Sequence, residues 1–421
     1  MSGLRVVRVE PTRSAGVLKE LALASAGNGW IWLQPADGDG EPAVAASKLP
    51  DGPGIILAGG GSQGGRSLCL HPLAHLDHSA AATGRWLEAC DIDPSQALVL
   101  NPLPLHHMSG LMPWWRSHLW GAEHVLLPLP LMRDPQRLLA HCRLIRDWDC
   151  RPMVVSLVPT QLRRLLAHDQ GVCWLQRFAV VWVGGAALPK DLADHCRRLG
   201  VRLSPCYGAT ETAAMVAALS PEQFLAGESG CGAPLDDVEL CLDATGALMV
   251  RTARLAIGRW CEGGLQPLTD ADGWWCSGDA AILRCNADGF RQLRIQGRLD
   301  GAIHSGGETV FPEQLAQRLL IDAHKRQLPL EAVLFLPVEQ VEWGQRLVAL
   351  VRCHEGVATE PDWPSLQLEL QQLSRHWRPA ERPIAWHQCQ ELEPTAAGKW
   401  QQSRWQAWLR LQECAQLNVQ K

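Results

Sequence analysis

The chain has 421 residues, 47% of them hydrophobic and 20% charged, with a formal net charge of -5. That length exceeds one ordinary core and predicts two or more domains of a water-exposed globular protein. The charge leaves no footprint for nucleic acid or an anionic membrane, no run reaches the roughly 18 apolar residues of a membrane span, and the start lacks the apolar core of a secretory signal, so the cytoplasm is expected.

Residues 35–54 are rich in Gly, Pro, Asp and Ala and read as loop. GIILAGGGSQGG (54–65) reads as a short strand entering a glycine-rich turn, and 73–90 as a helix. ALVLNPLPL (97–105) and HVLLPLPL (124–131) have the continuous apolar character of buried strands. Asp134 followed by Pro135 is a helix start, for a helix predicted over 134–148. A strand at 153–159, a helix after it, a strand at 179–185, a helix at 188–200 and a strand at 201–208 complete an alternation that predicts parallel sheet covered by helices. From 230 to 295 short strands and turns predict antiparallel hairpins. Beyond 297 an α+β pattern follows: helix near 312–325, strands near 331–337 and 346–353, helix near 363–376, then a polar tail. The main boundary is placed at 297–300, dividing 1–297 from 298–421. The 15 cysteines form no C-x-x-C pair and suit reduced thiols. The 19 tryptophans stand against a single tyrosine, Tyr207, with no functional reason evident in the sequence.

Five segments carry possible chemistry. GGGSQGG with Arg66 lets backbone N–H groups approach phosphate oxygens, although a plain tight turn explains it equally well and it is not a Walker A loop. YGATET (207–212) follows a strand and offers a Thr hydroxyl for phosphate and Glu211 for a magnesium ion. WWCSGDAA (274–281) sets Asp279 in a turn, where it could accept from ribose hydroxyls. IQGRLDGAIHSGGETVFPEQL (295–315) joins Arg298, Asp300, a Gly-Gly turn and a Pro-Glu helix start, and PTAAGKW (394–400) carries Lys399. His71, His75 and His78 have helical spacing without accompanying carboxylates and read as a solvated helix face rather than a metal site.

In their order these elements resemble the adenylate-forming superfamily of acyl-CoA synthetases, adenylation domains and luciferases, over about residues 54–404. The resemblance implies a multidomain α/β fold. A large N-terminal domain of layered sheets and helices, shortened at its start, would precede a small mobile α+β domain hinged near Asp300. It implies ATP, Mg²⁺ and CoA as partners. Phosphates would lie on Gly59, Gly60, Gly61, Ser62, Gly64, Arg66 and Thr210. Gly184, Gly185, Tyr207 and Gly208 would flank adenine, Asp279 and Arg298 would hold ribose, and Glu211 would ligate Mg²⁺. Lys399 would bridge the carboxylate and the α-phosphate, where negative charge gathers. The small domain would then turn about Asp300, bringing Ser305, Gly306 and Gly307 in for thioester formation with CoA.

The segment HHMSGLMPWWRSHLW (106–120) is similar to one in the o-succinylbenzoate–CoA ligases of menaquinone and phylloquinone biosynthesis. By that resemblance Ser109 and Arg116 would meet the second carboxylate of 2-succinylbenzoate, with His107 and Gly208 nearby. Arg suits the task because its guanidinium pairs with a carboxylate bidentately; a surface pairing or a helix cap would explain it too. His106 and His107 otherwise read as packing residues. Three features depart from the family pattern: a phosphate loop with one Ser and Arg66 in place of Lys, a short segment before it, and Gln402 where Arg is usual. Other aryl- or fatty-acid CoA ligases, a carrier-protein loader and a non-catalytic adenylate-binding relic are the alternatives; retention of Glu211 and Lys399 disfavours the last.

Overall fold

The computed structural model describes residues 3–9, 14–36, 44–59, 67–261, 264–285, 291–305, 308–354, 362–394 and 400–419. Its contacts divide it into two compact units. The first comprises Met1–Ser277 with Ala281–Ile295, and the second Gly278–Ala280 with Gln296–Lys421.

The first unit opens with β1 (Leu4–Val9), α1 (Ser14–Ser25) and β2 (Trp30–Pro35), three elements not anticipated from the sequence. Then come β3 (Gly54–Ala58), β4 (Leu68–Pro72) and the long helix α2 (Leu73–Glu88). The alternation follows: β5 (Leu98–Asn101), α3 (Met108–Trp120), β6 (Glu123–Leu126), α4 (Pro135–Cys142), β7 (Met153–Leu157), α5 (Pro159–Leu166), α6 (Asp169–Leu175), β8 (Val180–Val183), α7 (Lys190–Arg198) and β9 (Leu203–Ala209). Asp134 caps α4 as expected, its carboxylate accepting from the Arg137 N–H at 3.0 Å. Antiparallel strands close the unit: β10 (Ala214–Ala218), β11 (Ala233–Pro234) after the short helix α8 (Pro221–Leu225), β12 (Glu239–Leu242), β13 (Ala247–Arg251), β14 (Gly258–Cys261), β15 (Gly264–Pro267), β16 (Trp275–Cys285) and β17 (Arg291–Arg298).

These strands form three sheets. The seven-stranded sheet has the order β11-β10-β9-β8-β7-β5-β6, parallel from β6 to β9. Its central strands are apolar throughout because both faces are covered. Val155, Leu157, Val181 and Val183 enter one core with α4 to α7, while Val154, Val180 and Trp182 enter another. That is the two-residue period of a strand sorted between two faces. A six-stranded sheet runs β1-β2-β3-β4-β14-β15. Ile31, Leu33, Ile55 and Leu57 pack beneath it on α2 and α3, and Trp30, Trp32, Ile56 and Trp260 on its other side. Strands β12-β13-β16-β17 make the third.

The second unit holds β18 (Ile303–Ser305), β19 (Glu308–Val310), α9 (Pro312–Lys325), β20 (Leu330–Gln340), β21 (Gly344–Cys353), α10 (Trp363–Ser374), β22 (Ala385–Gln388) and α11 (Gln402–Val419). Val333, Phe335, Leu347 and Ala349 face α9 and α10, and Leu334, Leu336, Val348 and Leu350 face the other way. The expected polar tail is a helix: Trp405 and Leu409, one turn apart, bury against that second face. The tryptophan excess has a structural reason. Trp30, Trp174, Trp377 and Trp405 are among the largest fully buried side chains, and Trp30 donates its indole N–H to the Pro50 carbonyl at 2.8 Å. The cysteines from Cys69 to Cys389 are free thiols. No helix among the described residues is long and apolar enough to cross a membrane.

Candidate active site

Parallel strands end together, and loops leaving their carboxyl ends form a shelf where ligands bind in open α/β sheets. Two sequence-selected segments leave from that shelf. Gly184 and Gly185 follow β8, and Tyr207, Gly208, Thr210 and Glu211 lie at the end of the neighbouring β9, whose Pro205 pairs with Val183. A side chain at Gly184 would meet Cys206 Sγ at 3.0 Å, and Gly185 has φ +80°. At Gly208 a Cβ would fall 2.2 Å from the Ala214 carbonyl oxygen, so glycine is required where β10 crosses.

The turn carrying Thr210 and Glu211 is held from several sides. His71 bonds the Thr210 carbonyl at 2.7 Å through Nε2. A carbonyl only accepts, so the ring is the Nε2–H tautomer. Burial pushes its pKa down to about 3, against which the bond to Thr210 works. This corrects the expected solvated histidine face. His71 lies on β4 and is fully buried, because Pro72 ends the strand before the helix begins, while His75 bonds the Leu255 carbonyl at 2.7 Å. Ala213 and Ala214 take left-handed φ values of 49° and 84°, uncommon for residues with a Cβ. The Thr212 hydroxyl accepts from the Ala209 N–H at 2.9 Å and lies 2.6 Å from the Ala214 carbonyl. Buried Ser79 donates to the Ala213 carbonyl at 2.5 Å and accepts from Arg254 at 3.1 Å. Arg254 in turn lies 3.2 Å from Asp237. Glu211 itself is 6% exposed and receives Arg259 Nε and Nη2 on Oε1, at 3.1 and 2.8 Å.

Helix α3 supplies the second group of residues. Asn101, at the end of β5, fixes its approach: Nδ2 donates to the Gly110 carbonyl at 2.8 Å, and Oδ1 accepts from the Leu103 N–H at 3.1 Å. His107 is the N-cap residue, and its ring lies tilted against that of His106, with centroids 4.3 Å apart. Ser109 is exposed in the first turn. Arg116 lies two turns on along the same face, about 10 Å away by helix rise, and is 3% exposed. Its Nε and Nη2 have no hydrogen-bond partner among the described residues. The guanidinium sits 5.4 Å from the Trp182 ring centroid on β8, and burial brings its pKa down to about 9.

In the second unit, Arg298 clasps Asp300 bidentately, Nε to Oδ1 at 3.0 Å and Nη2 to Oδ2 at 2.8 Å, and reaches Asp279 at 3.5 Å. Gly278 has φ +72°, and a Cβ there would press on the guanidinium at 3.1 Å. A cleft of about 30 Å³ lies beside them, lined by Arg298, Phe311, Glu313 and Trp400 among others. Ser305 is fully buried with its hydroxyl unpaired among the described residues. Gly59 is described, its N–H on the Ser67 carbonyl at 2.8 Å. Gly60, Gly61, Ser62, Gly64, Arg66, Gly306, Gly307 and Lys399 lie outside the described residues. Sequence reasoning missed Arg259, Ser79 and Arg254; none belongs to a motif, and their tie to the Glu211 turn is long-range.

Residues 61–257 match the family described as AMP-binding enzyme. This stretch is similar to that family over a little under half of the chain. Among curated relatives, the 2-succinylbenzoate–CoA ligase of Salmonella typhimurium is 35% identical over 278 residues, 65% of this chain and 53% of that protein. That of Haemophilus influenzae is 32% identical over 307 residues, 72% of this chain and 60% of that protein. The chain thus spans little more than half the length of these curated relatives. The o-succinylbenzoate CoA synthetase MenE from Bacillus subtilis, solved with the acyl-adenylate OSB-AMP, superposes with a TM-score of 0.69 at 19% identity, covering 96% of this chain and 87% of that one. A second structure of it, with ATP and a magnesium ion, gives the same TM-score at 18% identity over 96% and 88%. The fold is therefore that of the adenylate-forming enzymes. The matched stretch includes the shelf of Gly184 to Glu211 and helix α3; Asp279, Arg298, Asp300 and Lys399 follow it in the chain.

Proposed function

We propose that the protein is an AMP-forming acid–thiol ligase acting on 2-succinylbenzoate, in menaquinone or phylloquinone biosynthesis. The observation that carries the substrate is Arg116. A guanidinium 3% exposed, with two nitrogens lacking hydrogen-bond acceptors, is costly to bury. The carboxylate of a dicarboxylic acid that does not react would supply the missing acceptors and charge. Exposed Ser109, on the same face of α3, and His107 and Gly208 would contact the rest of the acid. The names of the curated relatives support the same acid.

In the first step a carboxylate oxygen attacks the α-phosphorus of ATP and pyrophosphate leaves. In the second the sulfur of CoA attacks the acyl carbon, gives up its proton, and AMP leaves. Gly184, Gly185 and Tyr207 would border adenine, the loop of Gly59 to Arg66 and Thr210 the phosphates, and Asp279 with Arg298 the ribose. Lys399 would supply positive charge at the reacting phosphate. Among the described residues no group of three or more His, Cys, Asp or Glu could cage a metal. Magnesium fits this, since it keeps waters and binds through one or two carboxylates and substrate phosphates. Glu211 would hold it, and its charge would offset that of the phosphates. The thioester step falls to Ser305, Gly306 and Gly307, with Asp300 as the hinge.

The test is carboxylate-dependent ATP–pyrophosphate exchange with 2-succinylbenzoate, benzoate and a medium-chain fatty acid. Exchange is expected with 2-succinylbenzoate, followed by its CoA thioester when CoA is added. Preference for either monocarboxylate would remove the substrate assignment, and exchange with none would remove the enzyme reading.

A further inference from the structure

Glu211 already has a cation. Arg259 places Nε and Nη2 at 3.1 and 2.8 Å from the same oxygen, Oε1. The carboxylate is nearly buried, its side chain 8% exposed, whereas the guanidinium is 38% exposed. Arg259 lies on β14 directly opposite Cys69 of β4, so the two side chains leave the same face. Burial, then the negative charge of Glu211, holds the Cys69 thiol well above its ordinary pKa. The only charge balancing Glu211 in the described contacts is therefore that of Arg259. The Glu211 backbone cannot shift to meet a ligand cheaply, because its carbonyl accepts from the Ala256 N–H at 2.8 Å. The half-solvated guanidinium is the movable partner.

A magnesium ion ligates a carboxylate oxygen at about 2.1 Å. With Arg259 about 3 Å from that oxygen, ion and guanidinium would stand only a few ångströms apart, where like charges repel strongly. We propose that Arg259 is a built-in competitor for the divalent cation. It holds the Glu211 carboxylate oriented before nucleotide arrives, leaves Oε1 when the metal–nucleotide complex loads, and so sets the cation concentration the enzyme requires. This rests on the reading of Glu211 as the magnesium ligand.

The test uses the full chain, manganese as the spin-visible probe and α,β-methylene-ATP as an unreactive nucleotide. Enzyme-bound manganese is measured by electron paramagnetic resonance. Arg259→Gln removes the charge and should lower the half-saturating manganese concentration about 3- to 10-fold, the range expected for losing a partly exposed ion pair. Arg259→Lys keeps the charge but has a single donor centre, and should shift it in the same direction by less. Far-UV circular dichroism checks folding, and if Arg259→Gln does not fold, the Arg259→Lys shift decides. An unchanged or raised half-saturation in the folded variant, with wild type binding normally, overturns the competitor role alone. Failure of wild type to bind manganese with the nucleotide overturns the Glu211 assignment and this inference together.

Discussion

Arg116 predicts that function is held at the expense of stability. Burial lowers its pKa from the ordinary arginine range to about 9. At 1.36 kcal/mol per unit, holding the charge in the free protein costs on the order of 5 kcal/mol as a ceiling. The sign follows from protons bound. Between about pH 9 and 12.5 the native protein binds fewer than the unfolded chain, so stability rises there with pH and the full cost is felt below 9. Contact with Trp182 offsets part of it, about 1–2 kcal/mol for a desolvated cation–π pair. Arg116→Met keeps most of the volume without the charge. It should therefore melt higher, by about 2–4 °C for each kcal/mol recovered. It should also lose kcat/KM for 2-succinylbenzoate by about 100- to 1000-fold, two charge-assisted bonds' worth, with little loss for benzoate. Scanning calorimetry and pyrophosphate exchange on the same preparation read both. A variant that melts no higher than wild type refutes the unpaired charge. Equal losses for both acids refute its role in recognition.

Lys399→Ala should reduce adenylation about 100- to 1000-fold yet leave thioester formation from supplied acyl-adenylate intact; loss of both half-reactions contradicts two separate roles. His71 stays neutral to about pH 3 when folded and to 6.5 when unfolded. Its stabilising contribution is complete above about pH 6.5 and falls by roughly 2 kcal/mol at pH 5; urea unfolding of wild type and His71→Gln at both pH values should show the larger loss in wild type. Gly208→Ala forces a Cβ to 2.2 Å from the Ala214 oxygen, so the variant should bind nucleotide weakly and unfold at lower urea, and a wild-type midpoint would show that the hairpin gives way.

Much of this was legible because periodicity reports burial directly. The apolar runs at 153–157 and 180–183 could only be covered strands, and Asp134–Pro135 announced its helix through local capping chemistry. What escaped were elements whose apolar content is thin. Helix α11 buries Trp405 and Leu409 amid polar neighbours, and β1 interleaves Arg5 and Arg8 with the buried Val7 and Val9. His71 was misplaced because helical spacing ran across Pro72, which ends β4. In the site, motif residues declared themselves but their supports did not. Ser79 and Ala213 are 134 positions apart, and Arg259 and Glu211 are 48 apart. No short-range pattern encodes such pairs; only the packing of β4, α2 and β14 brings them together.

The lone tyrosine gives the site a label of its own. Tyr207 lies in the last three residues of β9, four residues before Glu211, and the chain has no other tyrosine. Growth on fluorotyrosine would thus place a single fluorine nucleus at that edge of the sheet without altering any other position. One resonance, followed through additions of nucleotide, acid and CoA, would report the order in which ligands arrive.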